Sequence, residues 1–321
     1  MKRILLHHDN VMSYLAQLIQ VSIAEFGWEF LEHRGYSPDL DLLRDYHLFG
    51  PLKEHPDDKH FEDDYNVQQE GFGKPIEPPP GAFPFQAGLM QLLDDKKSYH
   101  TFCGGSLIHP EWILTAAHCI QLDAESPAMK TNETFVAVGS IYRNGRGGQI
   151  IRAKGYKIHP DYLSTGLNDI GLIKLVRRVR LGNKVKLVKL HLNNQESLIG
   201  KTVYLTGFGI IDDFYNTAER LRKATMHISS YQKCFSDQES SKTELCATST
   251  VQEGKACKGD SGGPLTLKRN GTFYQIGITS HLALLPFCRI GFNHSVYTKV
   301  SAFISWISRI TKINFTKYNR S

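Results

Sequence analysis

Gly259-Asp260-Ser261-Gly262-Gly263-Pro264 packs three glycines around a single serine. A chain so poor in side chains can turn tightly and bring its backbone N–H groups close to a substrate carbonyl, with the hydroxyl held at the centre. Ser261 is therefore a candidate nucleophile. Such a hydroxyl needs an imidazole to take its proton and a carboxylate to orient that imidazole. Thr115-Ala116-Ala117-His118-Cys119 surrounds a histidine with small residues, and Asn168-Asp169-Ile170-Gly171-Leu172 sets a carboxylate at the head of an apolar strand. His118 is the candidate base. Asp169, partly buried at such a position, is the candidate that fixes the imidazole tautomer.

Around these segments, from Phe83 onward, short runs of β-branched and aromatic residues alternate with turn residues: Phe135–Val138, Gln149–Arg152, Ile170–Leu175, Val203–Leu205, Phe273–Ile278 and Val296–Val300. Many short strands and few helices predict an all-β barrel or sandwich. The exception is Ser301–Lys312, where Phe303, Ile304, Trp306, Ile307 and Ile310 recur at helical spacing and predict a closing helix.

The 321 residues, 41% hydrophobic and 22% charged, have the composition of an ordinary globular chain of one or two domains, which excludes wholesale disorder and collagen-like structure. Net charge is +6 without a block of consecutive Lys and Arg, so on sequence grounds the basicity bears on solubility more than on a partner. The longest apolar stretch, Ile276–Phe287, is too short to span a bilayer and is broken by Thr279, Ser280 and His281. Met1-Lys2-Arg3-Ile4-Leu5-Leu6 opens like a signal peptide, but His7, His8 and Asp9 stand where its apolar region should run, and it is read as no secretory signal. Against this, six cysteines (Cys103, Cys119, Cys234, Cys246, Cys257, Cys288) and sequons at Asn132, Asn270, Asn293, Asn314 and Asn319 suit an oxidising compartment. Six cysteines allow fifteen pairings.

Taken together, the three segments resemble the chymotrypsin family of serine proteases in the order His, Asp, Ser, with separations of 51 and 92 residues. The order is informative because unrelated folds use other orders. The resemblance extends from about Gly81 through Phe102-Cys103-Gly104-Gly105-Ser106-Leu107-Ile108, Thr206-Gly207-Phe208-Gly209 and Val296-Tyr297-Thr298-Lys299-Val300 to the final helix. It implies two six-stranded antiparallel β-barrels with a C-terminal helix, over residues 82–312, followed by a tail, 313–321. It further implies an oxyanion hole from the N–H groups of Gly259 and Ser261, support of Asp169 by Ser280, and the pairs Cys103–Cys119, Cys234–Cys246 and Cys257–Cys288. The expected activity is serine endopeptidase, descended from a secreted glycoprotein. Protein or peptide substrates and protein inhibitors are the expected partners of a monomer, with no cofactor, membrane or nucleic acid.

Two departures matter. Members of this family are active once a freed Ile-Val-Gly-Gly terminus places its ammonium against the Asp before the nucleophile, here Asp260. Counting back from Pro80-Gly81-Ala82-Phe83-Pro84, that start falls on Phe72-Gly73-Lys74-Pro75, with no basic residue before it. A silent, zymogen-like binding module is thus the alternative reading. The second departure is the S1 pocket: Lys255 stands where the trypsin subgroup has Asp, Leu282 and Ser295 replace frequent glycines, and His281 replaces a frequent Trp. The pocket is expected to be narrowed and partly cationic, suiting acidic or small P1 residues, or apolar if Lys255 swings to solvent.

The first part of the chain reads differently. Met12–Phe26 predicts a helix and Trp28–Leu31 a strand. Leu5-Leu6-His7-His8-Asp9-Asn10, Gly27-Trp28-Glu29, Tyr36-Ser37-Pro38-Asp39-Leu40 and Asp45-Tyr46-His47-Leu48 resemble the C-terminal part of mariner-type transposases. That family's RNase H-like α/β fold holds two divalent cations with three carboxylates. Asp9 and Asp45 match the second and third, the first is missing, and Asp41-Leu42-Leu43-Arg44 alters the spacing. Residues 1–67 are therefore read as a degenerate fragment that binds no metal, joined through the Gly- and Pro-rich stretch 68–81. A nucleic-acid-binding role for this piece is the third reading.

Overall fold

The computed structural model describes residues 3–5, 29–31, 76–92, 98–211, 216–234, 242–249, 256–282 and 294–319. The chain divides into two compact units, Met1–Glu70 and Gly71–Ser321. In the first, β1 (Arg3–Leu5) and β2 (Glu29–Leu31) pair in parallel. The expected helix 12–26, Asp9 and Asp45 lie outside the described residues.

The second unit contains two barrels. The first is closed in the order β3-β4-β5-β8-β7-β6: β3 (Gln86–Leu92), β4 (Tyr99–His109), β5 (Trp112–Thr115), β6 (Thr134–Val138), β7 (Gln149–Ile158) and β8 (Gly171–Leu175). Alternation along β7 explains which face is inside: Ile151 and Ala153 are buried, Arg152 and Lys154 exposed. A one-turn helix, α1 (Tyr162–Thr165), sits between β7 and β8.

The second barrel comprises β10 (Thr202–Gly207), β11 (Arg222–Ser229), β12 (Glu244–Thr248), β13 (Pro264–Arg269), β14 (Thr272–Leu282) and β15 (His294–Lys299). Pairing of β13 with both β10 and β14 closes it. The two-residue strand β9 (Lys189–Leu190) adds to β14 in parallel, an addition to the expected antiparallel pattern. Each expected strand lies in one of these. The sequence reading missed β3 to β5 and β11 to β13, of which β11 buries Ala224, Met226 and Ile228 between polar residues, so that Ile228 is its one β-branched inward residue.

The closing helix forms in two parts, a 3-10 turn (Val300–Phe303) and α2 (Ile304–Thr311), ended by Lys312 in the left-handed region at φ 63°. Trp306 and Ile307 are buried, and the rings of Phe303 and Trp306 lie 5.4 and 5.6 Å from His159. The expected tail is structured as well. Asn314 caps α3 (Phe315–Tyr318), Phe315 is buried, and Asn319 Nδ2 donates to the Leu190 carbonyl at 2.6 Å.

Where the barrels meet, the contacts are buried and polar. Ser106 Oγ donates to Gln275 Oε1, and Thr206 Oγ1 to Gln86 Oε1, each at 2.6 Å. These paired amides and hydroxyls satisfy one another where water is excluded, and they fix the seam along which the site residues gather.

Candidate active site

His118 follows β5 and is held from two sides. Cys119 is disulfide-bonded to Cys103 on β4. Asp169, at the entry to β8, accepts from the ring at 2.7 Å (His118 Nδ1 to Oδ2) and from the His118 backbone N–H at 3.0 Å. An ionised carboxylate only accepts, so Nδ1 carries the proton and Nε2 is left as the basic nitrogen. The strand register dictates this meeting, because Thr115 at the end of β5 pairs with Gly171 at the start of β8.

Asp169 is 5% exposed. It also accepts from Ser280 Oγ at 2.6 Å, while its carbonyl accepts from Thr298 Oγ1 at 2.7 Å, so two strands of the second barrel grip a residue of the first. Burial pushes the carboxyl up, but the His118 charge and the bonds from His118 and Ser280 outweigh it and hold the group below the ordinary Asp value. Ser280 Oγ lies in addition 3.1 Å from His281 Nδ1. Desolvation of the His281 ring lowers its affinity for protons, with Asp169 opposing and His118 reinforcing that shift. Ser280 thus links His281 to Asp169 and, through it, to His118.

The nucleophile loop is pressed against the first barrel. Gly104 N–H donates to the Ser261 carbonyl at 2.7 Å. Gly262 has φ +75°, and a Cβ there would stand 2.2 Å from Thr115 Oγ1, so no other residue fits without moving the wall that carries His118. Gly259, at φ +95°, lets the chain turn so that Asp260 N–H reaches the Cys257 carbonyl at 3.0 Å. Within this loop the N–H groups of Asp260, Gly262 and Gly263 have carbonyl partners, whereas those of Gly259 and Ser261 have none among the described residues. Ser261 is half-buried, and no hydrogen bond joins its Oγ to His118 among those of the described residues.

Asp260 points away from the nucleophile into a chamber that Gly207 and Gly209 leave open. Its Oδ1 accepts from Gly209 N–H at 2.9 Å and its Oδ2 from Cys257 N–H at 3.0 Å, and no cation pairs with it among the described residues. Burial raises the carboxyl to about 6, offset only in part by those two bonds.

Of the expected pocket residues, Ser295 is fully buried on β15 and is the cross-strand partner of Leu282 on β14. Lys255 and the Leu282 side chain lie outside the described residues. The disulfides Cys103–Cys119 and Cys234–Cys246 are formed, and Cys257 is disulfide-bonded; its expected partner Cys288 lies outside the described residues. Among the described residues, Cys103, His118 and Cys119 are the group whose ligand atoms cluster closely enough for a metal ion, but both sulfurs are consumed in the disulfide. Sequence reasoning missed the carbonyl anchor on Thr298 and the buried amides Gln86 and Gln275, since one polar residue within an apolar strand carries no signal of its partner.

The family model described as Trypsin matches residues 75–307. The chain is 32% identical over 240 residues to chymotrypsin-like elastase family member 1 of Felis catus, covering 72% of this chain and 86% of that protein. It is 34% identical over 238 residues to chymotrypsin-like elastase family member 3A of Homo sapiens (71% and 84% covered). Serine protease SSP1 of Scolopendra subspinipes is 32% identical over 238 residues (73% and 80% covered). No helix among the described residues is long and apolar enough to cross a membrane.

Proposed function

The chain belongs to the trypsin family of serine endopeptidases, and from that premise we propose that it hydrolyses peptide bonds through an acyl-enzyme on Ser261. The observation that carries this reading is the imidazole of His118, oriented through Nδ1 by Asp169, together with a glycine-framed serine whose loop leaves two N–H groups without a partner among the described residues. His118 Nε2 takes the Ser261 hydroxyl proton as Oγ attacks the carbonyl carbon. The N–H groups of Gly259 and Ser261 receive the oxyanion, and His118 returns the proton to the leaving amine. Water, deprotonated by the same imidazole, then releases the acyl group. Asp169 stays ionised throughout and stabilises the imidazolium. The trypsin-like domain is assigned to residues 82–312, and residues 1–67 to a degenerate transposase-like fragment. Descent from a secreted protein is inferred from the cysteines.

A fluorophosphonate that reacts only with an activated serine tests the reading. Labelling of the full chain that disappears in Ser261→Ala supports it; its absence at every pH from 5 to 9 refutes it for this chain. A second reading, a zymogen-like or silent binding module, is favoured by Asp260, a buried carboxylate with no cation among the described residues. For specificity, Lys255 favours acidic or small P1 residues, and cleavage of a P1 peptide library after Arg or Lys would overturn that preference.

A further inference from the structure

The charge of this chain is segregated in a way that its net +6 conceals. Residues 1–70 carry 6 Lys and Arg against 14 Asp and Glu, a net −8; residues 71–321 carry 32 against 18, a net +14. Within the second unit, the stretch from Ile141 to Leu190 holds 12 Lys and Arg but only two acids, Asp161 and the buried Asp169.

The fold places six of these cations along one outer side of the first barrel. Arg152 and Lys154 project from the exposed face of β7, about 6.8 Å apart as alternate residues of a strand. The segment after β8 runs alongside: Val176 N–H donates to the Arg152 carbonyl at 3.1 Å, and Arg180 exchanges two hydrogen bonds with the Gln149 side chain at 2.8 and 3.0 Å. Arg177 and Arg180 are exposed on it. Arg146 and Lys184, three and four residues along the chain from Gln149 and Arg180, line one cavity together. Among the described residues none of these six cations has a carboxylate partner. Like charges held unpaired on rigid strands repel one another, a cost recovered when a polyanion binds them and its condensed counterions pass into bulk solution. The surface is also remote from the chemistry. Asp169 precedes β8 at one end and Val176 follows it at the other, with the five strand residues between them spanning about 16 Å.

We propose that this face is a docking surface for a sulfated polysaccharide, which tethers the protease while leaving its cleft open; the docking does not depend on the catalytic reading. Three observations favour a sulfated chain over a nucleic acid. The rings beside the cations are already engaged: Tyr142 is capped by Arg146 at 4.2 Å and Arg220 at 5.3 Å, Phe135, opposite Arg152, meets Tyr99 edge-on at 5.1 Å, and Tyr156 packs against the core, so stacking with bases is disfavoured. The longest helix among the described residues, α2, has eight residues, two of them large and buried in the core, and no helix is presented to a groove. The disulfides belong to an oxidising compartment, where the abundant polyanions are glycans.

The test uses the full chain, with heparin as the sulfated probe and hyaluronan, a 20-base-pair duplex and a sulfopropyl resin as comparators. The patch variant is Arg152→Ser, Lys154→Ser, Arg180→Ser and Lys184→Ser. The control, Lys201→Ser, Lys268→Ser, Lys312→Ser and Lys317→Ser, removes the same charge elsewhere, and thermal unfolding checks that both remain folded. The proposal expects the native chain to leave heparin at higher salt than the sulfopropyl resin and to bind hyaluronan and duplex more weakly. The patch variant should lose on the order of 100-fold in heparin affinity, with a shallower salt slope, while the control stays within about threefold. Equal elution from both resins, equal losses in both variants, or duplex binding as tight as heparin binding would each overturn it. Labelling of Ser261 is read separately, so failure of docking and failure of catalysis are distinguishable.

Discussion

Asp260 offers the sharpest test of how the site is assembled. Its carboxyl is raised from 3.8 to about 6 by burial without a cation among the described residues, so holding it ionised at neutral pH costs about 3 kcal/mol. Replacing Phe72-Gly73-Lys74-Pro75 by Ile-Val-Gly-Gly, and starting the chain there after a cleavable leader, introduces an ammonium. At about 4 Å and an effective dielectric near 20, that ammonium contributes about 4 kcal/mol, enough to reverse the balance and favour the ion pair. The turn from Cys257 to Asp260, which aims the Gly259 N–H, would then be held by charge as well as by its backbone bonds. Two measurements follow. The fluorophosphonate rate constant should rise by roughly 10² to 10³, the worth of one oxyanion donor. The pH dependence of thermal unfolding should also change. In the native chain the folded-state carboxyl is raised, so its stabilising protonation is complete below about pH 4 and is lost as pH rises through about 6. Stability should therefore fall across that window by up to about 3 kcal/mol, and the ammonium-bearing chain should lose this slope. If both chains label at the same rate and show the same slope between pH 4 and 6, Asp260 is not the switch and the reasoning fails.

Asp169→Asn should lower kcat/KM on the order of 10⁴-fold, because the amide favours the wrong imidazole tautomer, with the CD spectrum unchanged; a loss under tenfold would remove Asp169 from the mechanism. Ser280→Ala deletes a 2.6 Å bond to a buried carboxylate, and labelling at pH 6 should fall more than at pH 8 as Asp169 becomes easier to protonate, an effect that Ser280→Thr should largely rescue. Gly262→Ala forces a Cβ to within 2.2 Å of Thr115 Oγ1 at φ +75°, so urea unfolding should show a loss of at least about 3 kcal/mol; a loss below 1 kcal/mol would show that the loop relaxes freely.

Sequence alone pointed to the family and nominated His118, Asp169 and Ser261, because each motif carries its chemistry in a few consecutive residues whose glycines and small side chains are demanded locally; Ser280 came only with the family resemblance. It also located the closing helix, since helical periodicity is legible within a dozen residues. What it left open depends on residues distant along the chain. Alternation along β11 does not say that β13 closes a barrel through β10 and β14, nor that β9 joins in parallel. A lone Gln86 or Gln275 does not name the hydroxyl it meets across the seam. The segregated cations of β7 and the segment after β8 looked unremarkable when averaged into a net charge, and became one surface only through strand register. Asp260 reads as a carboxylate like any other until the fold surrounds it. Burial, and the identity of what stands opposite, are properties of the closed tertiary structure, and they decide whether a charge is a partner, a cost or a docking site.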